Sequence, residues 1–148
     1  MNKNENIVNL HTLKFNLQKM SDFLKKFGED LRKNIPGFIA VTITEVKTGK
    51  IYFALSEDSN YDPELSSAFY LEIVRAKMNA ITATSLKDQK IDTILVNLTS
   101  QIHFIDVSDN GEFFIYLTLK DNKNFNLGIT KMRLNNYKKE IVQIKQKK

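Results

Sequence analysis

Apolar positions along the chain follow two alternating periods. From Leu13 to Leu31 they step by four and three residues (Leu13, Leu17, Met20, Leu24, Phe27, Leu31), with Phe15 and Phe23 on the flank. This spacing predicts a long amphipathic helix. It also suits a coiled coil, but fewer than three heptads is short of what a coiled coil needs, so docking on the chain's own sheet is expected. Met1 to Leu10 is Asn-rich and aperiodic, and is expected to be disordered. Ile35-Pro36-Gly37 ends the helix, because proline cannot extend it and the residue before proline is driven toward extended geometry.

The period then changes to two. In Phe38 to Val46, Ile39, Val41 and Ile43 alternate with Ala40, Thr42 and Thr44. After Lys47-Thr48-Gly49-Lys50, the residues Ile51, Phe53 and Leu55 alternate with Tyr52 and Ala54. A β-hairpin follows from this pattern. Three more strands are predicted over Thr93 to Thr99, Gln101 to Val107 and Phe113 to Lys120, the last two separated by the turn Ser108-Asp109-Asn110-Gly111. Along the last strand Phe113, Ile115, Leu117 and Leu119 share one face, and Phe114 and Tyr116 the other. A final helix from Leu127 carries Leu134, Tyr137, Ile141 and Ile144 at steps of three and four.

Between hairpin and strands lies the helix on which the reading turns. Asp62-Pro63-Glu64 supplies an N-cap, a proline at the first helical position and an acid near the positive dipole end. From there to about Ser85, Leu65, Phe69, Ile73, Ala76 and Ala80 form one stripe. Tyr70, Leu71, Val74, Met78 and Ile81 form a second, nearly opposite one. A helix on a small sheet needs one apolar face, so the second asks for a further layer of the same chain or for another chain.

The predicted fold is α+β in the order αββαβββα: a five-stranded antiparallel sheet, the central helix on one face, the N- and C-terminal helices on the other. Length and pattern imply one domain over residues 11–144, preceded by a disordered N-terminus (1–10) and followed by a basic tail (145–148).

Several marks in this order resemble the Roadblock family, the dynein light chain and bacterial polarity-regulator group. They are Ile35-Pro36-Gly37 before the first strand, Thr48-Gly49 in the hairpin, Asp62-Pro63-Glu64-Leu65 at the central helix, and Leu127-Gly128-Ile129-Thr130-Lys131-Met132-Arg133-Leu134 at the last. The resemblance covers about Leu13 to Ile144. It implies a homodimer with sheets joined edge to edge and central helices side by side, a platform for small Ras-like GTPases or for motor and scaffold partners. The second stripe agrees. Leu71, Val74 and Met78, flanked by Tyr70 and Ile81, are expected to meet the twin helix, and the strand bearing Thr93, Leu95 and Asn97 to pair with its copy. The alternative is that this stripe lies beneath another segment of the same chain.

Composition narrows the chemistry. The 148 residues carry a formal charge of +5. From Lys131 to Lys148 seven cations face Glu140 alone, a sum of +6, so the rest sums to −1. Basicity therefore belongs to the last helix and its tail. That leaves open an adaptor binding nucleic acid or an anionic surface, or a structural subunit of a larger assembly. Nucleic-acid binding is disfavoured. Tyr52, Phe114 and Tyr116 would stack bases only on an open sheet face, and the first and last helices are apolar enough to cover it. Cysteine is absent, which removes disulfides, thiolate metal sites and thiol nucleophiles. No apolar run nears the roughly 18 residues of a membrane span and the start lacks a signal peptide's apolar core, so a soluble, cytoplasmic protein is expected.

Candidate chemistry is sparse. Asp58-Ser59-Asn60-Tyr61-Asp62 has the D-x-N-x-D spacing of a calcium loop, but Pro63 replaces the turn glycine and Phe69 the bidentate glutamate, so Asp62 is better explained as a cap. Of the two histidines, His103 is expected to be a satisfied, partly buried imidazole. There is no phosphate-cradling glycine loop and no nucleophile or paired-carboxylate arrangement. The expectation is a non-catalytic interaction module without cofactor or metal.

Overall fold

The computed structural model describes residues 3–86 and 88–146, apart from the side chains of residues 3–9 and 146. Three helices flank one sheet: α1 (Lys3–Asn34), β1 (Phe38–Glu45), β2 (Ile51–Ser56), α2 (Pro63–Ala83), β3 (Thr93–Asn97), β4 (Gln101–Val107), β5 (Phe113–Lys120) and α3 (Leu127–Gln146). This is the predicted element order. The sheet runs β2-β1-β5-β4-β3 with every neighbour antiparallel, so β2 and β3 are the edges.

Alternation in β5 divides the interior in two. Phe113, Ile115, Leu117 and Leu119 point to the layer of α1 and α3, where Phe27, Leu31, Leu134 and Ile141 complete the main core. Phe114 and Tyr116 point to the α2 layer, where they meet Leu71, Val74, Ile105 and Val107. The α1 and α3 helices are joined by Phe27, whose ring meets Tyr137 edge-on at 4.9 Å, and by Arg133 Nη1 donating to Asp30 at 3.0 Å. Gly28 brings α1 down on β2: a Cβ there would lie 2.7 Å from the Phe53 ring. Gly37 turns the chain into β1 at φ 77°, beside the Lys120 carbonyl, where any side chain would be strained.

Three details differ from the periodic reading. The α1 helix begins at Lys3, so residues 3–10, expected to be disordered, continue it, while Met1 and Asn2 lie outside the described residues. The tail positions Lys147 and Lys148 are also outside them. A β-bulge slips the β1–β2 register between Ile43 and Thr44, pairing them with Phe53 and Ile51. The extra residue, Tyr52, packs with the α1/α3 layer, its hydroxyl accepting from Lys145 Nζ at 2.8 Å. The three sheet aromatics therefore do not share a face. Tyr52 belongs to the α1/α3 side, and Phe114 and Tyr116 are covered by α2, not by the first and last helices.

Candidate partner interface

The α2 helix starts where its cap residues demand. Asp62 Oδ1 accepts from the backbone N–H of Glu64 at 3.0 Å and of Leu65 at 3.1 Å, with Pro63 opening the first turn. Asp58 Oδ1 accepts from the Asn60 N–H. Both carboxylates of the calcium-like spacing thus cap the backbone, and no group of three or more potential metal ligands occurs among the described residues.

Hydrogen bonds fix which face of α2 turns inward. Ser67 Oγ and Thr44 Oγ1 lie 2.7 Å apart in the buried interior. Arg75 Nη2 donates to the Val46 carbonyl at 2.7 Å. Along the flank facing β4, the Tyr116 hydroxyl meets those of Tyr61 at 2.6 Å and Ser66 at 2.8 Å. His103 Nδ1 lies 2.6 Å from the Tyr70 hydroxyl and 3.0 Å from that of Tyr116, and its Nε2 lies 2.9 Å from Gln101 Oε1. A neutral ring with its proton on Nε2 fits the arrangement: Nε2 donates to Gln101 Oε1, and the single Nδ1 lone pair accepts from the nearer hydroxyl, that of Tyr70. Burial pushes the His103 pKa down and those of Tyr70 and Tyr116 up, which keeps the whole set uncharged. His103 is a strut between helix and sheet, closed off from solvent.

This anchoring corrects the expected interface. Leu71 and Val74 are buried on the chain's own sheet, with Tyr70 and Met78 packed beside them. They are the inner stripe, and Ile81, on the same side of the wheel, is half-buried. The outer stripe is the other one: Leu65, Phe69 and Ile73 are 59%, 68% and 48% exposed, and Ala76 and Ala80 are exposed between the larger side chains. Each stripe alone reads as a core face, and only the partners contributed by β1, β4 and β5 decide between them.

The strand expectation concerns β3. The Asp92 carbonyl accepts from Val107 N–H at 3.0 Å and Leu98 N–H donates to Gln101 O at 2.8 Å, so these positions face β4. By alternation, Thr93, Leu95 and Asn97 aim their N–H and C=O groups at the open edge. Ile94 packs under α2 while Leu95 is exposed. The described residues thus leave both a strand edge and an apolar helix stripe uncovered. No helix among the described residues is long and apolar enough to cross a membrane.

No protein-family model matches the chain, and no curated protein does. Solved structures do. The Myxococcus xanthus protein MglB superimposes with a TM-score of 0.65 at 11% identity, over 86% of this chain and 88% of that one. A Roadblock/LC7 domain from Streptomyces avermitilis gives 0.64 at 10% identity, over 78% and 91%. A structure described as MglB with tetrameric arrangement gives 0.63 at 13%, over 87% and 89%. The chain therefore has a Roadblock-like fold.

Proposed function

We propose that the protein is a non-catalytic, dimeric interaction module that regulates or scaffolds a small Ras-like GTPase. The observation that carries the pairing is the apolar outer stripe of α2, most of it open to water, on a molecule that also leaves β3 unpaired. Two copies of such a surface are self-complementary about a two-fold axis. β3 lies antiparallel to its twin, so that the sheet continues across ten strands. The α2 helices lie side by side, Phe69 and Ile73 meeting their counterparts while Ala76 and Ala80 let the backbones approach. The GTPase rests on the Roadblock resemblance; such a module acts by holding the partner's own switch elements.

Sedimentation tests the pairing. The wild type is expected at twice the monomer mass, and Phe69→Asp at the monomer mass with an unchanged far-ultraviolet spectrum, because Phe69 is exposed in the single subunit. A monomeric wild type removes the dimer. For the partner, pull-downs with nucleotide-loaded GTPases from the source cell are expected to favour one nucleotide state, whereas a purely structural subunit would show no preference.

A further inference from the structure

At the end of the molecule away from β3, α1 outruns the layer that covers it. Its apolar seam is buried at Leu24, Phe27 and Leu31, but Leu13 and Leu17 on the same seam are 56% and 63% exposed. They form one wall of a groove of about 920 Å³, whose floor and opposite wall are Met20 and Leu24, the edge strand at Ile51 to Phe53, and Ile144 near the end of α3. The lining includes Lys25, Lys50 and Lys145 and no acidic side chain. Lys145 is engaged by the Tyr52 hydroxyl and lies 3.7 Å from Glu45, but Lys25 and Lys50 are exposed and form no ion pair among the described residues. Over residues 10–26 the helix itself carries four lysines against Asp22.

We propose that this groove receives an amphipathic helix with acidic shoulders from another protein. The shape argument comes from the seam. Where it is covered, at Phe27 and Leu31, its neighbours are α3 and the sheet, whereas at Leu13 and Leu17 the described residues leave it bare. A helix laying residues at three- and four-residue steps against Leu13, Leu17 and Met20 covers it. The charge argument selects the partner. Lys25 and Lys50, without acids among the described residues, favour glutamate and aspartate at the shoulders, and the cationic excess of α1 opposes a second copy of it. A bilayer is the lesser fit, because the seam faces into a concave groove. The surface is separate from α2 and β3, so it remains open in the dimer proposed above and does not depend on it.

The test uses the full chain and a fluorescein-labelled synthetic helix of about 18 residues, with leucines at three- and four-residue steps and glutamates on both shoulders. A twin carries lysine at each glutamate. By fluorescence anisotropy the acidic helix is expected to bind at least about tenfold more tightly than its twin. Leu13→Gln/Leu17→Gln, on exposed positions, is expected to weaken it about tenfold, and Lys25→Glu/Lys50→Glu to abolish the preference. Equal binding of the two helices, or wild-type binding by the leucine variant, overturns the proposal. So does a fall in sedimenting mass for the leucine variant alone, which assigns the groove to a second copy. Capture of the chain by phosphatidylglycerol vesicles when neither helix binds assigns the seam to a lipid surface and also overturns it.

Discussion

At the scale of single residues, the interior holds two polar arrangements with opposite dependence on pH. His103 is neutral when buried, and its pKa in the folded state is below the usual imidazole value because burial disfavours the charged ring. The unfolded chain then binds a proton that the folded chain refuses, so the histidine's contribution is fully present above about pH 6.5 and is lost as the pH falls toward its folded pKa. Urea midpoints are expected to drop between pH 7.5 and 5, at up to about 1.4 kcal/mol per pH unit from this one ring. His103→Asn, already less stable at pH 7.5, should lie closer to wild type at pH 5. Asp106 is the reverse. It is fully buried and its carboxyl is pushed up by burial, against the opposing pull of Lys138 at 3.0 Å and of Lys131. Its contribution is therefore greatest below the ordinary carboxylate pKa and is lost as the pH rises through the folded value. Its Oδ2 has no hydrogen-bond partner among the described residues, so the ion pair is incompletely satisfied. Asp106→Asn should cost about 3–5 kcal/mol by leaving the buried Lys138 ammonium uncompensated, while Asp106→Asn/Lys138→Met should recover most of it. Urea unfolding at pH 7 separates the two.

At the scale of elements, what was legible in the chain was whatever local geometry decides. Asp62-Pro63 starts α2 through hydrogen bonds two and three residues away, so the start could be read directly. Asp62→Ala should lower stability by about 1 kcal/mol with the fold intact, seen as a lower urea midpoint at unchanged slope. The inward face of α2 was not legible. Leu65, Phe69 and Ile73 are as apolar as Leu71, Val74 and Met78, and the choice rests on Tyr70 reaching His103, 33 residues on, and Ser67 reaching Thr44. For the same reason Val74→Asp is a poor probe of assembly. It places an unpaired charge in a fully buried site and should unfold the subunit itself. Likewise the seam of α1 was evident, but the end of the surface beneath it was not. A 32-residue helix spans about 48 Å, and an eight-residue strand about 26 Å. Half of the helix must overhang. The bulge at Tyr52 left no mark in the alternation; there Tyr52 meets Glu45 of β1 and Lys145 of α3, contacts distant in the chain.

At the scale of the whole molecule, the two edges of the sheet have different fates. β2 runs beside the overhang of α1 and the end of α3, whereas β3 ends the sheet on the other side. In the dimer proposed above, β3 is the edge that extends into another sheet, and backbone direction gives a test that leaves the subunit intact. The Leu95 N–H points away from β4, by alternation from Leu98 and Asp92, so proline at this position would remove a hydrogen bond of the proposed dimer and none within the subunit. Leu95→Pro should raise the dimer dissociation constant at least about tenfold while the urea midpoint of the monomer changes little. Val96→Pro deletes a donor that faces β4 and should destabilise the subunit itself by about 3 kcal/mol. Sedimentation equilibrium over a range of concentrations, paired with urea unfolding of each variant, distinguishes the outcomes. If Leu95→Pro pairs as tightly as wild type, the sheets do not join through β3, and α2 would have to carry the contact alone.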